Sequence, residues 1–380
     1  MLCRVKGVRL RIMKVLQINK LYYPFTGGVE KVAYDISNEL KDKVAMNVLV
    51  ANDKFENVKE KVNDVNVDRV ACIGTYFSMP FAPGFPFALK NYKADILHFH
   101  LPFPLGVMSY LLTKPEGKTV VTWHSDIVKQ KMILKFYRPF LMSFLSKVDR
   151  IVVTSPNMIA NSPFLEPFKD KCVVISLGIN PERFKLTENV KRQAEKIKKK
   201  YEKPIILFMG RLVYYKGVRY LIEAMKNVNA RLLIGGSGQL KDDLKELSNK
   251  LGLDNKIDFL GFVDDNDLAV YYHACDMFVL PSIAESEAFG IVQLEAQVCG
   301  KPVISTNLPT GVPYANMDKE TGIIVEPKSS KQLSDAINKL LSNKKLRLKY
   351  GTNAKKRVES DFTIRKMSQA YYNIYKELLN

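Results

Sequence analysis

Residues 276–300 read DMFVL followed by PSIAESEAFGIVQLEAQVCG. A short apolar run that stops at a proline has the pattern of a buried strand. A polar loop carrying Glu285 and Glu287 follows, then Ala288, Phe289 and Gly290, then a periodic apolar segment. The spacing predicts a strand over 277–280 and a helix over 290–298. Beyond the carboxyl ends of parallel strands, where loops meet helix N-termini, such sheets bind their ligands. The first N–H groups, at about Phe289, Gly290 and Ile291, would be free to meet a phosphate, helped by the helix dipole. Glycine lets a ligand come close to the backbone. Glu295 lies just over one turn into that helix. An acid there cannot serve a phosphate, but it accepts hydrogen bonds from a ribose diol, and Glu287 could do the same for sugar hydroxyls. Both could equally form structural salt bridges. Two carboxylates also suit a glycosidase, which needs them about 5–9.5 Å apart across a sugar. An acid on a phosphate-binding helix favours diol binding instead.

Outward from this segment the same rhythm repeats. Strands are expected at 14–19, 46–50, 65–70, 95–100, 119–123, 150–154 and 173–176, with helices at 29–40 and 128–146 among them. The second half places strands at 205–209, 231–234, 256–260, 277–280 and 302–305, separated by helices at 218–227, 240–251, 267–273 and 290–298. Alternating strands and helices imply α/β architecture with parallel sheets, and the length suits two sheets better than one. A break falls at 178–203, where the turn-like Gly178-Ile179-Asn180-Pro181 precedes a highly charged stretch. The resulting domains are 13–180, joined by 363–380, and 181–362. Residues 1–12 read as a basic extension or an alternative start. With two sheets, the natural site is a cleft between them.

The chain has 380 residues, 47% hydrophobic and 26% charged, which is ordinary globular composition. No run approaches the roughly 18 apolar residues of a spanning helix, and no signal peptide is visible. Five scattered cysteines without a CxxC pair suit reduced thiols in an intracellular protein. The net charge of +19 draws the chain to polyanions, although runs such as KRQAEKIKKK at 191–200 suit a solvated face. No zinc-finger spacing or RNP signature supports specific nucleic-acid binding.

Further candidate site residues follow other strands. FMGRLVYYKG (208–217) places Arg211 and Lys216 where they could hold a diphosphate and stabilise it as it leaves. YYPFTGGVEK (22–31) sets Gly27 and Gly28 before a helix; it is neither GxGxxG nor a Walker loop. His124, in TVVTWHSD, ends a buried-type strand with Asp126 two residues on, and His100 ends ADILHFH. Either histidine could touch a sugar or guide an acceptor hydroxyl, or be purely structural. Gly236, in GGSG, belongs to a phosphate- or base-side loop. Val263 precedes DDND (264–267), which superficially resembles a metal-binding DxD but reads as helix capping.

Taken together, these residues resemble the GT-B glycosyltransferases of the large retaining group called family 4, or group 1. The likeness covers nearly all of the chain after Met13 and is most specific over 276–327, which holds Glu287 and Glu295 with seven residues between them. GRLVYYKG, the early GGVE and SLGINPERF (176–184) add to it, while Gln297-Val298-Cys299 departs from the family's usual Met-Ala-small. The resemblance implies two Rossmann-like domains facing across a cleft, with the C-terminal helix packing back on the first. It implies that the second domain binds the nucleotide sugar, UDP- or GDP-linked sooner than ADP-linked. Arg211 and Lys216 would hold the diphosphate, Glu295 the ribose, and Glu287 with the backbone at Ala288, Phe289, Gly290 and Ile291 the sugar. Gly27, Gly28, Gly236 and Val263 complete the donor side. His124 would lie beside the transferred sugar, with His100 and Asp126 as acceptor-side candidates. The family retains anomeric configuration without metal or cofactor, which favours a front-face mechanism.

Two first-domain segments, YFSMPFAPGFPFAL (76–89) and KQKMILKFYRPFLMSFLSK (129–147), combine aromatics with basic charge. They could meet an anionic bilayer or a lipid-linked acceptor, giving a cytoplasmic protein peripheral on the inner membrane face, or be core with a solvated basic edge. The rival readings are a GT-B sugar-nucleotide epimerase, a phosphorylase, and a non-catalytic sugar- or nucleic-acid-binding protein.

Overall fold

The computed structural model describes residues 4–5, 8–9, 12–25, 27–76, 79–126 and 131–380. Most of the 1–12 extension, and positions 26, 77–78 and 127–130 in the segments read above, lie outside the described residues. The chain divides into two compact units. The first holds Met1–Thr154, Ile159–Ser176 and Ile364–Asn380; the second holds Ser155–Met158 and Leu177–Thr363. The short piece 155–158 sits with the second unit, where Asn157 Nδ2 donates to the Thr310 carbonyl at 3.0 Å. Ile179 N likewise donates to the Phe362 carbonyl at 2.8 Å.

The first unit is built on an eight-stranded sheet. Its order is Cys172–Val174, Arg150–Val153, Lys118–Trp123, Ile96–Leu101, Lys14–Ile18, Ala45–Ala51, Val65–Val70 and Val58–Val62. The pairings are parallel except the last. That edge strand, VKEKV, exposes its charged middle, which discourages further pairing. The chain starts at Lys14–Ile18, winds to one side, then returns at Ile96–Leu101 and winds to the other. A switch point therefore lies between these two strands.

Strand Ile96–Leu101 is buried throughout, yet reads ILHFHL. Its alternation sorts the two chemistries. Phe99 meets Tyr110 and Phe144 from helices Pro104–Thr113 and Lys131–Lys147. His98, at the opposite parity, meets Tyr371 and Tyr375 of the final helix, Ile364–Leu379. That helix buries Ile364, Met367, Ser368, Tyr371, Ile374 and Tyr375, a stripe spaced three and four residues apart. It packs back on the first unit's own sheet.

The second unit holds a six-stranded parallel sheet. Its order is Ile257–Gly261, Arg231–Gly235, Ile205–Met209, Met277–Leu280, Val303–Thr306 and Gly322–Val325. Its switch point lies between Ile205–Met209 and Met277–Leu280. The charged stretch after Pro181 is an ordered helix, Glu188–Tyr201, capped by Thr187 Oγ1, which accepts from Val190 N at 3.3 Å. Val190, Ala194 and Ile197 lie on one face and pack against Val270 and Ala274. The helix expected from 290 begins at Val292 and ends at Val298. Gly290 has φ +71°, outside helical space, which delays the start. The described cysteines, Cys72, Cys172, Cys275 and Cys299, are unpaired.

Candidate active site

At the second unit's switch point two loops lock together. Strand Ile205–Met209 runs out through Gly210 to Arg211, and a single 3-10 turn, Tyr214–Lys216, follows. Gly217 closes that turn at φ +63°, and a Cβ there would stand 2.1 Å from the Pro281 carbonyl oxygen. Only glycine fits. Ile283 N donates to the Tyr215 carbonyl at 2.8 Å and ties the second loop to the first. This contact delivers Lys216 to Glu287: Nζ and Oε2 are 2.6 Å apart, with side chains only 10% and 9% exposed. Ser282 Oγ donates to the same carboxylate oxygen at 2.9 Å.

The segment after Glu287 leaves backbone donors unused. Among the described residues no acceptor receives the N–H groups of Ala288, Phe289, Gly290 or Ile291. The Ala288 carbonyl instead takes Gly311 N at 2.7 Å, and the Phe289 carbonyl takes Gln293 Nε2 at 3.0 Å. Glu295 is buried and accepts from Tyr272 Oη at 2.8 Å. Burial first, and the Glu295 carboxylate second, hold the Tyr272 phenol well above its usual range, so it stays a donor. Arg211 is exposed and steadied by Tyr215, whose hydroxyl accepts from Nη2 at 2.9 Å. Gly236, at φ +127°, lies alongside Gly210, where a Cβ would meet the Gly210 carbonyl oxygen at 2.0 Å. Val263 is half-buried and close to Gly235. Arg211, Lys216, Gly236, Val263, Glu287, the 288–291 backbone and Glu295 thus gather at the carboxyl ends of one sheet.

The acidic run 264–267 behaves otherwise than expected. Asp267 precedes helix Leu268–Ala274 but makes no capping bond. Asp264 Oδ1 instead accepts from Asn266 N at 2.9 Å, which makes a tight turn, and Asp265 pairs with Arg183 at 2.7 Å. Among the described residues no group of His, Cys, Asp and Glu is arranged to hold a metal ion.

In the first unit, His100 and His124 are joined: His100 Nδ1 and His124 Nε2 are 3.0 Å apart. His100 Nε2 meets Gln17 Oε1 at 2.5 Å. His98 sits beside them, bonded to Tyr375 Oη at 2.6 Å and Thr122 Oγ1 at 2.7 Å. All three rings are buried. Burial pushes His98 and His124 down to about 3 and His100 well below the ordinary range, so all are neutral. Asp126 accepts from Trp123 Nε1 and Ser162 Oγ, both at 2.8 Å, and burial raises its pKa. Gly27 precedes helix Gly28–Leu40, and a Cβ on Gly28 would meet nothing within 4 Å. Sequence reading missed Gln17 and gave His98 no part. His98 could have been found, since it is two residues from His100; Gln17 lies opposite His98 in a ladder register that sequence does not display.

Comparison with known proteins agrees with this architecture. Residues 26–183 match the model "Glycosyltransferase Family 4", and residues 189–357 match "Glycosyl transferases group 1". The O-antigen chain mannosyltransferase C of Escherichia coli is 36% identical over 374 residues, covering 97% of this chain and 99% of that protein. A D-rhamnosyltransferase of Pseudomonas aeruginosa is 36% identical over 273 residues, 71% of this chain and 70% of its own. Among solved structures, sucrose-phosphate synthase from Thermosynechococcus elongatus superposes with TM-score 0.79 at 21% identity, covering 96% and 99% of the two chains. The Anabaena protein HepE, solved in complex with UDP, superposes at 0.78 with 19% identity, covering 96% and 100%. Two doubly wound units of this kind define the GT-B class of glycosyltransferases. The chain belongs to the group 1 glycosyltransferases of family 4.

Proposed function

We propose that the protein transfers a sugar from a nucleotide-diphosphate donor to a hydroxyl of a glycan or lipid-linked acceptor, with retention of anomeric configuration. One observation carries the donor reading: the Lys216–Glu287 pair, the free 288–291 N–H groups and Arg211 converge at a sheet switch point. Arg211 and Lys216 take the diphosphate, whose negative charge grows as the glycosyl bond breaks. The 288–291 amides share that charge. Glu287 holds the sugar hydroxyls and is itself held by Lys216 and Ser282. Glu295, oriented by Tyr272, receives the ribose diol. Gly236 and Val263 shape the nucleotide side.

The second unit, 181–362 by sequence, is the donor domain in this reading, and the first, 13–180 with 363–380, holds the acceptor. Gly27 and Gly28 serve the phosphates, His124 the transferred sugar, and His100 and Asp126 the acceptor side. In the front-face step the bond from the anomeric carbon to the diphosphate oxygen breaks. The acceptor oxygen bonds to that carbon on the same face, and its proton passes to the departing diphosphate. The step needs no metal. Relatives named for mannosyl and rhamnosyl transfer, and a structural neighbour solved with UDP-glucose, support a UDP- or GDP-linked hexose and a polysaccharide role. Phe136 and Phe140 are exposed on helix Lys131–Lys147 beside basic residues, which supports peripheral contact with an anionic membrane face. No helix among the described residues is long and apolar enough to cross a membrane.

The decisive measurement is thermal stability against UDP and GDP, with and without a chelator. A nucleotide diphosphate is expected to raise Tm with the chelator present, and Arg211→Ala to remove most of that rise. A shift that needs divalent metal, or one that survives Arg211→Ala unchanged, refutes the site as described.

A further inference from the structure

The hydrogen bonds that lead to His124 have a direction. Gln17 Oε1 and His100 Nε2 are 2.5 Å apart. That separation suits N–H to carbonyl oxygen and is too short for an amide nitrogen against a ring nitrogen. An amide oxygen only accepts, so His100 carries its proton on Nε2. The ring is buried and neutral, which leaves a lone pair on Nδ1. His124 Nε2, 3.0 Å away, must donate to that lone pair. His124 is neutral too, so its own lone pair sits on Nδ1. That nitrogen has no hydrogen-bond partner among the described residues, and His124 keeps 7% of its surface exposed.

The amide of Gln17 is held from behind. Its Nε2 donates to Tyr375 Oη at 3.4 Å, and that hydroxyl reaches His98 Nδ1 at 2.6 Å. Accepting from Gln17, it gives its own proton to His98, which then donates from Nε2 to Thr122 Oγ1. Thr122 in turn meets the Tyr371 hydroxyl at 2.8 Å. The final helix therefore supplies Tyr375 within the network and Tyr371 at its far end.

We propose that Tyr375, Gln17 and His100 are positioning residues that hold His124 as the Nε2–H tautomer. They thereby present its Nδ1 as an acceptor for a sugar hydroxyl at the carboxyl end of the first unit's sheet. The sugar contact rests on the role given to His124 above; the tautomer relay does not. Reversing the amide would reverse every proton in the chain and turn Nδ1 into a donor, unable to receive a hydroxyl proton. The relay thus selects for a ligand that offers an O–H at this point over one that offers only an acceptor.

Long-range proton–nitrogen correlation on the full-length, histidine-15N-labelled protein, without ligand, reads the tautomer of each ring. His100 and His124 are expected as Nε2–H with unprotonated Nδ1. A His124 ring protonated on Nδ1, or averaging between tautomers, overturns the proposal. Gln17→Met keeps the side-chain length and removes the amide. It should lower the tautomer preference at His124 about tenfold, the worth of one buried hydrogen bond. A folded Gln17→Met protein with an unchanged His124 signal removes Gln17 from the relay. Tyr375→Phe, which keeps the ring, should loosen the same preference, and an unchanged signal there removes Tyr375. None of these spectra depends on the nucleotide titration of Arg211→Ala, so failure of the relay and failure of the donor site are read separately.

Discussion

Lys216 and Glu287 carry opposite charges in a place where neither would be stable alone. Lys216→Met leaves the Glu287 carboxylate with the Ser282 hydroxyl as its remaining hydrogen-bond partner, so urea unfolding should show a loss of about 3 kcal/mol. Lys216→Met with Glu287→Gln should recover part of it. Gly236→Ala forces a Cβ onto the Gly210 carbonyl at positive φ, and a loss of roughly 2 kcal/mol or more is expected in the same assay. The buried histidines set a pH limit. The unfolded chain takes up protons near the usual 6.5, while folded His98 and His124 refuse them down to about 3. Their contribution is complete above 6.5 and shrinks as pH falls, by on the order of 2 kcal/mol for each ring at pH 5. Unfolding curves at pH 7 and 5 test this, and His98→Gln should flatten the difference. Arg211, Lys216, Glu287 and Glu295 were legible as candidates because each lies in a segment that follows a recognisable strand. Gln17 was not, because a glutamine inside an apolar strand announces nothing until its ladder partner is known.

At the level of elements, the final helix contributes more than surface cover. Its Tyr375 hydroxyl bridges the polar network and its Tyr371 hydroxyl ends it, so Tyr371→Phe should cost about 1 kcal/mol by leaving Thr122 short of a partner, measurable as a lowered urea midpoint. The sequence pointed to this helix through its aromatics. It missed Phe85–Asn91, whose aromatics fell in the 76–89 segment read as membrane surface or core, and it assigned no element to Pro104–Thr113, which opens on a proline. Glu188–Tyr201 was hidden for the opposite reason: its charge masked a narrow apolar stripe at Val190, Ala194 and Ile197. The strongest strands, such as Ile205–Met209, were legible because a parallel strand buried on both faces is a continuous apolar run.

For the whole molecule, charge and exposed aromatics make separable predictions. With a net charge of +19, association with anionic vesicles should be strong at low salt and fall steeply as salt rises. Phe136→Ser should remove what persists at moderate salt, since Phe136 is 81% exposed. Flotation that ignores both changes would rule out the membrane reading. The first unit is also discontinuous: its sheet is complete by Val174, but the helix that covers the His98 face begins at Ile364. On a ribosome adding about 5–20 residues per second, that face waits on the order of ten seconds or longer for its cover. The second unit can close during that interval. The nascent first unit must meanwhile stay soluble with an uncapped layer of imidazoles, for which water supplies the missing partners until the tyrosines arrive.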